Sequence, residues 1–282
     1  MTTVTEARAV TNRVARTFSW ACRLLPRAVR DDVYLLYVMF RGLDDLVDHG
    51  RLDAAARVDA VDAWAVDGAS AATPEVAILD RLAARHQLPR DAISAFCAGM
   101  RHDLAGAPLE TEAAVDEYCY RVAGTVGIVM ASVLGTRDAA QAKPAAAALG
   151  MAMQRTNILR DIEEDLAHGR IYVALESVEH LGGLGPGPRE ALLRDQIPRA
   201  DALYERGLAG VPLLETGNRA VAAAAAMYRE ILREIERDGY GATRGRAVVP
   251  RRRKLIVAAR SCLRSGPSLR RGVPAARTSG TA

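Results

Sequence analysis

Apolar residues recur at helical spacing along most of this 282-residue chain, and nowhere does a strand-like alternation persist. A chain so patterned buries its apolar faces by packing helix on helix. Composition points the same way. Alanine and leucine recur throughout and aromatics make up only 5%, which suits helices and excludes a sandwich or barrel rich in Val, Ile and aromatic residues. With 50% hydrophobic residues, 12 prolines and 23 glycines, the chain is neither collagen-like, nor a mucin-like stalk, nor disordered. It is long enough to bury a sizeable core, and it carries no internal repeat.

The pattern predicts helices over 27–49, 75–86, 89–104, 112–134, 143–168, 189–209 and 219–238, with a last one between Pro250 and Leu263. Loops or short helices are expected over 50–74, and GGLGPGP (182–188) reads as a break. Gly124 and Gly127 sit inside the 112–134 pattern, where each costs about 1 kcal/mol relative to alanine. They imply that something approaches the backbone closely there, a packed helix or another group. No domain boundary interrupts the pattern. The expectation is one helical domain over 1–265 and a basic, disordered tail over 266–282.

The net charge of +4 conceals an asymmetry. Residues 241–282 carry eleven Arg or Lys and no acid, whereas the remainder holds 27 basic and 34 acidic residues, a net of −7. A basic end of this kind suits an anionic membrane surface. It lacks the interleaved aromatics of a nucleic-acid binder, so no nucleic-acid partner is expected. No apolar run reaches the roughly 18 residues of a membrane-spanning helix, and 1–16 lack the apolar core of a secretory signal. Cys22, Cys97, Cys119 and Cys262 are widely spaced, without metal-binding or paired spacing. Free thiols and a cytoplasmic protein, with peripheral membrane association open to it, are expected.

Two acidic stretches carry the chemistry. In Arg41-Gly-Leu-Asp44-Asp45-Leu-Val-Asp48, Asp44 and Asp48 stand one helical turn apart and repel, at the end of a helix otherwise apolar through Leu36, Tyr37, Phe40 and Leu43. In the second stretch, Gln154, Asn157, Asp161 and Asp165 form one polar stripe at steps of three, four and four, beside Met151, Ile158 and Ile162. Carboxylate and amide oxygens suit a hard ion such as Mg²⁺, which keeps waters and also binds substrate phosphate. Neither stretch has the calcium-loop pattern. One such cluster is commonly just a solvated face. Two, interleaved with Arg41, Arg160 and Arg170, match the needs of a diphosphate site, because arginine forks fit phosphate oxygens.

Several ordered stretches make the chain resemble the squalene/phytoene synthase family of head-to-head prenyl diphosphate condensing enzymes, most closely its bacterial phytoene synthases. These are TFSWACRLLP (17–26), YVMFRGLDDLVD (37–48), GMRHDL (99–104), YCYRVAGTVG (118–127), QRTNILRDIEEDLAHGRIYV (154–173) and the later IERDGYG and RRRKL. The resemblance implies an all-α, single-domain class I isoprenoid synthase bundle with a central cavity. It implies that Asp44, Asp48, Asn157, Asp161 and Asp165 hold metal, with Asp45 beside them, and that Arg41, Arg160 and Arg170, with Gln154 nearby, hold diphosphate. Tyr37, Tyr118 and Tyr172 would line the cavity near developing positive charge, the bland alternative for Tyr118 and Tyr172 being burial with an ordinary hydrogen bond. Phe18, Val122 and Gly127 would touch substrate, Phe18 from a covering N-terminal segment. The chain departs from the family pattern at Ala15-Arg16-Thr17 and at Val173-Ala174.

The resemblance also implies the reaction. One allylic diphosphate ionises, its C1 is attacked by a double bond of the second, and the cyclopropylcarbinyl diphosphate so formed ionises and rearranges to a 1′–1 linked product. Mg²⁺ is the implied cofactor, with Mn²⁺ as its substitute. NADPH is implied only for a squalene-type product, and a missing Rossmann fingerprint decides nothing there. The first expectation is phytoene from two geranylgeranyl diphosphates. The alternatives are a squalene, dehydrosqualene or hydroxysqualene synthase using two farnesyl diphosphates, a terpene cyclase on the same scaffold, and a non-catalytic helical partner. The expected assembly is a monomer or a homodimer.

Overall fold

The computed structural model describes residues 3–242 and 245–264, so the expected tail over 266–282 lies outside the described residues. Among the described residues, thirteen α-helices follow in order: α1 (Val4–Val14), α2 (Arg16–Cys22), α3 (Arg27–Asp48), α4 (Ala54–Asp67), α5 (Pro74–Ala83), α6 (Arg90–Ala105), α7 (Glu112–Cys119), α8 (Thr125–Leu134), α9 (Ala139–Ala167), α10 (Leu175–Leu181), α11 (Glu190–Ala209), α12 (Asn218–Arg237) and α13 (Arg251–Arg264). Among the described residues there is no strand, only an isolated bridge between Thr136 and Leu214. None of the described helices is long and apolar enough to cross a membrane.

Local chemistry sets the helix ends. Thr3 and Glu6 form a reciprocal capping box at the start of α1. Pro26 precedes α3, Thr73 caps α5 with Pro74 in its first turn, and Thr111 caps α7. The helix expected from 143 starts a turn earlier, at Ala139, because the Asp138 side chain accepts from the Gln141 N–H. Pro144 therefore lies inside α9 rather than at its start. Within the stretch expected to be loops or short helices, α4 runs for 14 residues and buries Val58, Val61 and Trp64. The helix expected over 112–134 is interrupted by a π-helical turn, Tyr120–Gly124, between α7 and α8.

Two apolar cores result. One joins α3, α4, α5, α6 and α8 around Leu35, Trp64, Leu79, Ile93 and Phe96. The other joins α7, α9, α11 and α12 around Tyr118, Ile158, Leu192, Tyr204 and Leu232. Buried Arg155 ties α9 to its neighbours, reaching Glu112 and Asp116 at 2.9 Å and Gln196 at 2.8 Å. A charge this deep is tolerable because its donors are matched.

Where the π turn and α8 cross α9, backbones meet without side chains between them. A Cβ on Gly127 would lie 2.3 Å from the Ala146 carbonyl oxygen, and one on Gly150 would lie 2.1 Å from that of Ala123. Of the two meanings open for Gly127, close helix packing is the one this geometry supports. Gly150→Ala should therefore cost about 1–3 kcal/mol in urea unfolding. Gly185→Ala, where a Cβ meets nothing within 4 Å, should change stability by less than about 0.5 kcal/mol. Equal effects at the two sites would contradict this packing.

Candidate active site

A cavity of about 880 Å³ opens between the two cores, near the top of the range of about 300–1,000 Å³ usual for small-molecule sites. Its wall is apolar over most of its area, with Phe40, Phe96, Val126, Met130, Leu149 and Met153 among its residues. Polar groups also line it: Arg41 and Asp44 from α3, Gln154, Asn157 and Arg160 from α9, Tyr228 from α12, then Arg246 and Lys254. Phe18, Tyr37, Tyr118, Val122 and Gly127 line it as well. Phe18 of α2 stacks on Tyr37 of α3, with ring centroids 4.9 Å apart.

Asp45, Asp48, Asp161, Asp165, Arg170 and Tyr172 are not among the lining residues; Asp45 and Asp161 bond to lining arginines, and Tyr172 stacks on Tyr118. Arg41 holds Asp44 at 3.0 Å and Asp45 at 2.6 Å. Arg160 grips both oxygens of Asp161, at 2.8 and 2.6 Å, and Arg246 reaches the same carboxylate at 2.8 Å. Arg170, just past α9, spans to Asp48 at the end of α3 at 2.5 Å and donates to the Tyr172 hydroxyl at 3.2 Å. Its backbone N–H is bonded to the Asp165 carbonyl. One arginine therefore joins the ends of the two acidic helices. Asn157 accepts from the Tyr228 hydroxyl at 3.1 Å and donates to Gln154 at 3.3 Å.

Sequence reasoning assigned no role to Asp103, Tyr228, Arg246 or Lys254. Asp103, on α6, accepts from both the Tyr118 and Tyr172 hydroxyls at 3.2 Å, and those two rings stack 5.2 Å apart. Lys254 donates to Thr17 Oγ1 at 3.1 Å, and burial together with the Arg160 charge lowers its pKa. GMRHDL and RRRKL mark these neighbourhoods in the chain. A lone acid on a helix, or one cation in a basic run, has no spacing that reveals its role.

Carboxylates crowd this end. Burial and the Asp48 charge push the Asp44 carboxyl up to about 7, partly offset by Arg41. Asp165 is likewise pushed up to about 7, by burial and then by Asp161, Glu164 and Asp48. Burial and Asp48 raise Asp103 to about 6, against the pull of the Tyr118 hydroxyl. Burial lifts Tyr37 to about 12 and raises Tyr118 well above the usual phenol range, so both stay neutral. Among the described residues, no three His, Cys, Asp or Glu side chains converge as a preformed metal site. The donor set nonetheless fits a hard divalent ion. The donors are oxygens, their mutual repulsion is only partly relieved by the arginines, and two opposing helices supply them. The Nε of Arg41 is buried without a hydrogen-bond partner among the described residues, which fits an anion at the same end.

These shifts predict a pH dependence of stability. Asp44, Asp103 and Asp165 bind protons more tightly folded than unfolded, so stability should fall as pH rises from about 4 to about 7. Urea unfolding of metal-free protein at pH 5 and 7.5 should show this loss. Asp44→Asn should shrink it, and millimolar Mg²⁺ should reverse much of it at pH 7.5. Stability that rises across this window would contradict the assignment.

Residues 11–253 match the squalene/phytoene synthase family. A phytoene synthase of Arthrospira platensis is 34% identical, over 88% of this chain and 89% of its own. One of Thermus thermophilus is 37% identical, over 79% of this chain and 80% of its own. Among solved structures, a dehydrosqualene synthase in complex with a ligand superposes with a TM-score of 0.83 at 27% identity, covering 92% of this chain and 94% of that one. A squalene synthase from Alicyclobacillus acidocaldarius does so with a TM-score of 0.74 at 26% identity, covering 85% and 95%. With its acidic helices facing one cavity, this chain belongs to the squalene/phytoene synthase family.

Proposed function

We propose that this chain condenses two geranylgeranyl diphosphates head to head into phytoene, releasing two diphosphates and a proton. The observation that carries the proposal is a single cavity with an apolar wall and a polar end, where two acidic helices are joined by the Arg170–Asp48 pair. The preference for geranylgeranyl chains rests on relatives named phytoene synthase at 32–37% identity. The dehydrosqualene synthase likeness supports a second reading, with two farnesyl diphosphates and NADPH only for a squalene product.

Each residue class has a physical task. Asp44, Asp48, Asn157, Asp161 and Asp165 would hold Mg²⁺, or Mn²⁺ in its place, with Asp45 beside them. Bound there, the ions supply Lewis acidity toward the departing diphosphate. Arg41, Arg160 and Arg170, with Gln154, bind and orient its oxygens. Tyr118 and Tyr172, stacked and hydrogen-bonded to Asp103, turn ring surface toward cationic carbon, worth about 2 kcal/mol when desolvated. The Phe18–Tyr37 stack covers the chain, and the apolar wall with Val122 and Gly127 keeps water from quenching the cation. An apolar product needs an apolar phase to leave into, and peripheral membrane contact through the basic C-terminal region would supply one. The working form is a monomer or homodimer.

Purified protein with Mg²⁺ and geranylgeranyl diphosphate should yield a C40 hydrocarbon without NADPH, read by mass spectrometry of the organic extract. A C30 product made only from farnesyl diphosphate would establish the second reading. Diphosphate release without any 1′–1 product would overturn both. Asp44→Asn and Asp161→Asn should each lower kcat by about 10²–10³ while leaving the far-UV circular dichroism unchanged. Tyr172→Phe, which keeps the ring, should cost much less than Tyr172→Ala.

A further inference from the structure

Helix α13 presents two unlike faces. Its inner face is seated: Val257, Ala258 and Cys262 pack on Ala21, Ala223 and Met227, Arg253 pairs with Glu234 at 3.2 Å, and Lys254 reaches into the cavity wall. Its outer face holds Leu255, Ile256 and Leu263, exposed to 57%, 51% and 83%. These stand at roughly one- and two-turn spacing with Ala259 between them, making an apolar stripe. Arg251, Arg252 and Arg260 flank the stripe, and none of the three makes an ion pair among the described residues. Among the described residues, inward-facing Arg253 and Lys254 have partners, and outward-facing Arg251, Arg252 and Arg260 make no ion pair.

We infer that this outer face of α13 lies on the surface of an anionic phospholipid bilayer. This deepens the membrane contact proposed above by placing it on one helix, independently of which prenyl chain is condensed. Charge complementarity selects the occupant. Residues 241–282 contain no acid, while the rest of the chain is net negative. An anionic bilayer attracts this end and repels the remainder, which orients the molecule. A second copy would bring arginine against arginine. A helix with apolar residues between flanking arginines is the form that sinks its stripe to the acyl boundary while the guanidinium groups stay among headgroups. Val248, just before α13 in the chain, is also exposed, at 70%. Because Lys254 lines the cavity, the bilayer would lie against the helix that closes part of the cavity wall.

The test is co-sedimentation of the full chain with phosphatidylcholine vesicles, with and without one-third phosphatidylglycerol. Binding should require the anionic lipid and weaken with salt. Leu255→Ser/Ile256→Ser/Leu263→Ser should lower binding at least tenfold, with unchanged thermal unfolding and unchanged turnover of dispersed substrate. Arg252→Gln/Arg260→Gln should lower it by on the order of fivefold per arginine. In a third full-length variant, Arg270→Gln/Arg271→Gln/Arg277→Gln neutralises the tail and should bind nearly as well as the parent on the strength of α13. If only the tail variant loses binding, α13 is the wrong surface and the broader membrane reading stands. If the parent does not bind at all, both fall. If the leucine variant instead dissociates a dimer in gel filtration, the face belongs to a second copy and the inference is overturned.

Discussion

Too much negative charge at one end of one cavity is the constraint on which the rest of the structure depends. Asp44, Asp45, Asp48, Asp103, Asp161, Glu164 and Asp165 gather there against Arg41, Arg160, Arg170, Arg246 and Lys254. Arginine pairs offset part of this charge, yet Asp44 and Asp165 are still pushed toward protonation despite Arg41 and Arg170. A diphosphate could not enter so negative a site alone. Divalent cations held as proposed would resolve both problems, by binding the excess carboxylates and turning the same end attractive to phosphate oxygens. In that reading the arginines would serve as fixed partners that pass from carboxylate to diphosphate.

The helical architecture holds this charge apart from the apolar wall. Two cores stabilise two sets of helices, and the cavity lies between them instead of inside either one. Gly127 and Gly150 draw the π turn and α8 onto α9 until backbone touches backbone, which fixes the helix carrying Asn157, Asp161 and Asp165. The matched Arg155 network anchors the same helix from its other side. A site that must stabilise a carbocation needs such rigidity, because stabilising charge is effective only where it is already in place.

Much of this was legible in the chain. The long helices showed through their periodicity, since apolar spacing reports burial on one face. The polar stripe from Gln154 to Asp165 and the close spacing of Asp44, Asp45 and Asp48 are local patterns, and of these residues Asp44, Gln154 and Asn157 lie on the wall of one cavity. Helix α4 was less legible because its alanine-rich repeat contrasts weakly between its faces. The early start of α9 depended on one capping carboxylate that Pro144 masked. Asp103 was not legible at all. Its role exists only because α6, α7 and the segment after α9 converge on it.

The most direct test of this account is calorimetric binding of inorganic diphosphate to the full chain, with and without Mg²⁺. Binding should be strong only with the metal, and Asp44→Asn/Asp161→Asn should lose it. Equal binding without Mg²⁺, or undiminished binding by the double variant, would mean that the arginines alone hold the anion and that the acidic helices are not its metal-bearing frame.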